Sequence, residues 1–346
     1  MGNPPSSSSE SVQNPTQTSV VAESRWKGIT KHFRRSDLKR SLWQLANSLL
    51  PYLGLWYLAY VLLDVSYLAT LAVCFVAALF LIRVFIIAHD CGHGSFFNSP
   101  RANDLCGSIT SVLAFIPYFA WRYDHAIHHA HSGNLDQRGM GDIKTMTVSE
   151  FRNASKWQQV WYRLYRNPLV LFGIGPLYGF LISYRFWPKG AIARVKRSVI
   201  VNNLAIAGIV ALAWLTIGIK AYVLVMLPIM AIAGSMGVWM FYIQHQYEDV
   251  EWEHQEDWTY FNQAIHNASF YKLPRVIQWF TGNIGFHHVH HLDSRIPNYR
   301  LEKCHNDVEF LREVKPITLR ESLRFAKYRL WDEERRKLVT FAEANL

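Results

Sequence analysis

The sequence predicts an all-α integral membrane protein, in which four transmembrane helices carry a cytoplasmic helical cap around a histidine-rich site for two metal ions. Half of the 346 residues are apolar, and they gather in runs close to the ~20 residues that cross a bilayer core. The pattern His-x-x-His-His occurs twice, at His125/His128/His129 and at His287/His290/His291. With 15 histidines in the chain, a shuffled sequence would show that pattern on the order of 0.03 times. The net charge of +10 comes from basic stretches beside the apolar runs. Membrane orientation and anionic lipid explain it better than nucleic-acid binding.

Residues 1–24 are rich in Ser, Pro, Gln and Asn and lack an apolar segment, which predicts a disordered tail and not a signal peptide. Residues 25–346 are expected to form one domain. Arg25, Lys27, Lys31, Arg34, Arg35, Lys39 and Arg40 precede the first apolar run and mark the cytoplasmic side. Spans are expected at about residues 42–63, 67–88, 199–219 and 221–243, with cytoplasmic regions at 89–198 and 244–346. Residues 108–120 are apolar but short and contain Pro117, which suits a re-entrant or interfacial segment. Residues 168–184 are interrupted by Gly173, Gly175, Pro176 and Gly179 and read as lying in the interface. Parity agrees with this: if the later histidine clusters share one centre, an even number of crossings separates them. After Pro316, helical periodicity with many charges predicts a soluble helical cap.

On a helix, residues at i, i+3 and i+4 share one face, so each triplet is expected to present three imidazoles to one point. His89 and His93, at i and i+4, add two more, with Gly92 and Gly94 leaving room beside them. A metal site takes three or four such ligands, so eight imidazoles imply two ions. Imidazole suits iron, and oxygen chemistry beside a membrane favours it. Cys74, Cys91, Cys106 and Cys304 form no C-x-x-C pair, which leaves neither a zinc knuckle nor a redox motif and points to reduced thiols. Two other readings compete. His89 to His93 resembles the zinc-protease H-E-x-x-H, but its Asp reaches a metal-bound water poorly and two triplets would be surplus. A metal transporter would hold its ligands near the middle of its spans, whereas these lie at span ends and in polar loops.

The stretches His89 to Phe97, His125 to His129 and His287 to His291 resemble the three histidine boxes of membrane fatty acid desaturases. Ser132 to Asp136, Gly141-Asp142, Tyr165 to Pro168, Val238 to His245 and Ile296 to Tyr299 resemble the bacterial acyl-lipid branch. That branch includes Bacillus-type delta-5 and delta-12 (omega-6) enzymes, and the similarity runs from about Trp43 to the C-terminus. The resemblance implies a diiron centre held by His89, His93, His125, His128, His129, His287, His290 and His291, with His245 at the end of the last span as the ninth ligand. It further implies O2-dependent desaturation of a lipid-linked acyl chain, giving a cis double bond. Two iron ions would serve, with electrons from an external ferredoxin or flavodoxin. The expected setting is the bacterial inner membrane, with both termini and the active site cytoplasmic. A hydroxylase or ketolase of carotenoid, sterol or alkane, and a membrane metal-binding or transport protein, stand as alternatives.

Around the boxes, Phe96, Phe97, Trp121, Phe286 and Tyr299 are candidate walls of a substrate groove. Asp90 and Asp124 are candidate orienters of ligand imidazoles. His131 and His288 lie beside the triplets but outside their register. His32, His254, His266 and His305 read as surface residues. Double-bond position and chain length depend on groove depth, which no motif encodes.

Overall fold

Long helices follow the four apolar runs and overshoot them at the ends that carry histidine. The computed structural model describes residues 25–139 and 141–346, so the expected tail at residues 1–24 lies outside the described residues. Helices α1 (Leu38–Val61) and α2 (Tyr67–His93) form a first hairpin. Helices α3 (Pro100–Leu113) and α4 (Tyr118–His131) follow as a pair bent by 102°. Helices α5 (Ala193–Thr216) and α6 (Ile219–His245) form the second hairpin. Among the described residues, α1, α2, α5 and α6 are long and apolar enough to cross a membrane; the count rises to six if each of two bent helix pairs is one span. The second such pair joins Lys156–Tyr165 to Val170–Arg185 at 62°, where residues 168–184 were expected in the interface.

Helix ends follow local chemistry. The Asp37 carboxylate accepts from the Arg40 amide at 3.1 Å and opens α1. α2 does not stop where its apolar run stops, because backbone hydrogen bonding continues through the polar box to His93. Gly94, at φ 70°, then ends it in the left-handed conformation. α6 likewise runs on to His245.

α2 and α6 are the inner pair. Of its most apolar window, α2 buries 56% and α6 39%, against 17% for α1 and for α5. The outer helices leave Trp43, Leu50, Leu204 and Leu215 exposed, a surface that needs lipid. Leu81, Val84, Val225 and Ile229 pack in the apolar core between the inner helices. A second core fills the cap around Tyr242, Val289, Leu292 and Trp331.

The cap is mostly helical, but the helical ending expected after Pro316 is corrected. Strand Pro316–Thr318 pairs in parallel with Phe270–Lys272, a short helix spans Leu319–Phe325, and Leu330–Asp332 and Lys337–Val339 form an antiparallel hairpin. That hairpin also takes Met146–Thr147 as a parallel neighbour. Its strand Leu330–Asp332 is buried throughout, so the period-2 signal that would distinguish it from a helix is absent.

Arg166 ties this cap to the inner helices. Fully buried, its guanidinium donates to Gln246 Oε1 at 2.9 Å, to the Tyr328 carbonyl at 3.0 Å and to the Thr145 hydroxyl at 3.3 Å. Arg166→Ala should leave these acceptors unpaired and lower stability by at least about 2 kcal/mol. The measurement is the melting temperature of the purified protein in detergent, and an unchanged melting temperature would refute the clamp.

Candidate metal centre

The histidines of α2, α4, α6 and the short helix α7 (His287–Leu292) converge at one end of the inner helix pair. They form two groups. His89, His93, His125, His129 and His290 make the first, and His128, His245, His287 and His291 the second; within each, the candidate ligand nitrogens lie within 4.8 Å of one another.

The expectation that each triplet points to one place is corrected. His125 and His129 go to the first group and His128 to the second; His287 and His291 go to the second group and His290 to the first. Helix geometry explains the split. At 3.6 residues per turn, positions i and i+4 diverge by about 40°, but i+3 and i+4 by about 100°. Each triplet therefore straddles the two groups, which ties them together. The His129 and His291 rings stack across the divide with centroids 4.1 Å apart.

The donor sets fit metal ions. His245 and His287 bring their Nε2 atoms to 2.9 Å, His290 and His129 to 3.0 Å, and His129 and His125 to 3.2 Å. Ligands at about 2.1 Å from one ion, at right angles, are separated by about 3 Å. The buried Nε2 atoms of His93, His128 and His291 have no hydrogen-bond partner among the described residues, a cost that a ligated ion would remove. Burial, then repulsion from neighbouring imidazoles, holds His125, His129, His287, His290 and His291 well below the usual histidine pKa. They are thus neutral at physiological pH, the form that binds metal.

The opposite ring nitrogens are held by specific partners, which sets the tautomer. His128 Nδ1 donates to the Asp142 carboxylate. His245 Nδ1 donates to the Asn267 carbonyl at 3.0 Å and faces the Asn267 Oδ1 at 3.1 Å. Asp90 lies 3.3 Å from His89 Nδ1, and its other oxygen accepts from the Asn298 backbone and side-chain nitrogens at 2.7 Å. Of the two carboxylates expected to orient imidazoles, Asp90 therefore touches one. Asp124 makes no hydrogen bond to a histidine; it sits beside His125 in sequence and faces a cavity. Asn267 carries no local signal, and Asp142 stands out in the sequence only within the Gly141-Asp142 resemblance, with no role attached. A Cβ at Gly141 would lie 2.8 Å from the Asp124 carbonyl, and its φ is +73°. Only glycine brings Asp142 in so closely.

The remaining histidines separate from the groups. His131 caps back to the Ile127 carbonyl at 3.1 Å. His288 points away from its neighbours and pairs with His305, Nε2 to Nδ1, at 3.0 Å. Placing His305 on the surface is corrected: it is buried on the helix α8 (Asn298–Asp307), against Phe270 and Phe286. His32, His254 and His266 are exposed.

Residues 66–318 match the family model described as fatty acid desaturase. The chain belongs to that family. It is 49% identical to a fatty acid desaturase of Bacillus subtilis over 91% of this chain and 90% of that one. A Synechocystis sn-1 acyl-lipid omega-3 desaturase (ferredoxin) is 28% identical, with 72% of this chain and 67% of the relative covered. An Anabaena variabilis sn-1 oleoyl-lipid 12-desaturase is 27% identical over 65% and 64%. These relatives favour desaturation over the hydroxylase, ketolase and transport alternatives.

In this family member an apolar cavity of about 290 Å³ runs between α2 and α6 and reaches His89, His125 and His287. Of the five aromatics expected as groove walls, Trp121 alone lines it, joined by Phe85, Phe180, Tyr184 and Phe241. Phe96, Phe97 and Tyr299 instead pack in a separate cluster with Ile87 and Cys91, and Phe286 stacks on Phe270. Nearness in sequence to a box is no guide here, because side chains flanking a ligand point to other faces of its helix.

Proposed function

We propose that the chain is an O2-dependent acyl-lipid desaturase that converts a –CH2–CH2– pair of a membrane lipid's acyl chain to a cis double bond. The observation that carries this reading is the apolar cavity ending on both imidazole groups, through His89 and His125 on one side and His287 on the other. Per turnover, O2 takes four electrons, two from the two C–H bonds and two from an external donor, and with two further protons leaves as two waters. A ferredoxin- or flavodoxin-type donor fits this need; the Synechocystis relative is named for ferredoxin.

Two iron ions would be held, one by His89, His93, His125, His129 and His290, the other by His128, His245, His287 and His291. They would supply O2 activation and one-electron chemistry, which zinc, with no redox states, would not. The protein's share is arrangement. Neutral imidazoles leave the positive charge on the ions, and Asp142, Asn267 and Asp90 hold the rings in register. Leu81, Ile82, Phe85 and Phe241 exclude water from the hydrocarbon beside the histidines.

We further read the histidine end as cytoplasmic in a bacterial inner membrane. The basic start of α5 supports this, since it packs at the histidine end: Ser198 Oγ accepts from the Phe119 amide at 3.0 Å, and Arg194 reaches Asp104 at 3.3 Å. The test of function is expression in a host lacking unsaturation at the tested positions, with mass spectrometry to locate new double bonds. Purified protein should carry about two irons per chain, following from two donor groups. Exchangeable zinc with unchanged host lipids would overturn the reading.

A further inference from the structure

We propose that Met230 and Gly237 select the length of the acyl chain that the cavity accepts, an inference that rests on the acyl-desaturase reading above. Met230, Gly234, Gly237 and Phe241 line the cavity at i, i+4, i+7 and i+11, one stripe of α6. Depth can be read along that helix, because α6 ends at the histidines. Gly237 lies eight residues before His245, about 12 Å, and Met230 fifteen residues before it, about 22 Å. Leu81, Ile116 and Met230 are buried at 2%, 2% and 3% exposure and line the cavity.

The two glycines of the stripe differ. A Cβ at Gly234 would lie 3.0 Å from the Pro176 Cβ and 3.2 Å from the Phe180 ring, so that glycine admits the wall segment Gly175–Leu181. A Cβ at Gly237 would meet nothing within 4 Å. Among the described residues nothing fills that space, and Gly237 lines the cavity. An apolar pocket cannot satisfy the polar ester of a lipid, so the hydrocarbon tail enters it methyl end first. Methylenes under reaction then lie at the histidines, the chain passes Gly237, and its end abuts Met230.

The test expresses the full chain in a host supplied with saturated fatty acids of several lengths and reads the length distribution of the unsaturated products. Gly237→Leu should shift the ratio of long to short products down by about tenfold, and Met230→Ala should raise it by about tenfold, the discrimination that one or two methylenes command in an apolar pocket. Gly237→Ala and Met230→Val, with smaller shifts of the same sign, keep the test open if the larger changes prevent accumulation. A uniform fall in all products at an unchanged length ratio would overturn the proposal, because a purely structural role lowers every product alike. No unsaturated product from the unaltered chain would instead overturn the desaturase reading itself.

Discussion

Replacing His290 by alanine is expected to abolish double-bond formation, while the same change two residues earlier, at His288, is expected to leave it largely intact. Both side chains are buried and both belong to the run His287 to His291, so burial does not distinguish them, although only His290 stands in the His-x-x-His-His register. Their partners do. His290 belongs to the first imidazole group with His89, His93, His125 and His129, and its Nε2 lies 3.0 Å from that of His129. On the proposed function, its loss would take one donor nitrogen from the first group. Because loss of an outer orienting partner alone costs about 10–100-fold, loss of the ligand should lower product by at least about 100-fold. His288 faces His305. His288→Ala should cost about 1–3 kcal/mol of stability, from an unpaired buried partner and lost packing, with two irons per chain retained. Iron analysis and lipid mass spectrometry on the two variants decide it. Equal metal loss in both would refute the division of the run into ligands and a structural histidine.

Asp142→Asn should weaken metal retention by about 10–100-fold, and Asp124→Asn should leave it within about twofold, the scatter expected of a carboxylate that orients no ligand. Asp142 holds the His128 Nδ1 hydrogen and so fixes the tautomer that offers Nε2 to the second group. An amide in its place either presents a neutral, weaker acceptor or turns its NH2 toward the ring, and both disturb that tautomer. Asp124 makes no hydrogen bond to any imidazole, although it precedes His125 directly. Dialysis against graded chelator, followed by iron analysis, measures the difference. Matching losses in the two variants would mean that local charge, not contact with His128, governs retention.

The contrast between these aspartates shows how far sequence reading reaches. Adjacency nominated Asp124 and passed over Asp142, which stands thirteen residues beyond His129. Adjacency also nominated Phe96, Phe97, Phe286 and Tyr299 as groove walls, yet the walls come mainly from the membrane helices and from the segment carrying Phe180 and Tyr184. Likewise the buried strand Leu330–Asp332 has no alternation to betray it, because both of its faces are covered.

Some features are written locally and survive translation into three dimensions. Apolar runs of bilayer length become α1, α2, α5 and α6, since a helix satisfies its own backbone and needs only a long enough apolar stretch. The repeated His-x-x-His-His register nominates side chains that come together in two adjacent groups, because periodicity on a helix is a property of a few consecutive residues. Other features depend on where distant segments meet. Only the tertiary structure decided that each triplet divides between two groups, that Asp142 and Asn267 hold the rings, and that His288 turns away to His305. The physical reason is the same in each case: a 100° step along one helix, or a hydrogen bond across more than ten residues, acquires its meaning only from what is packed opposite.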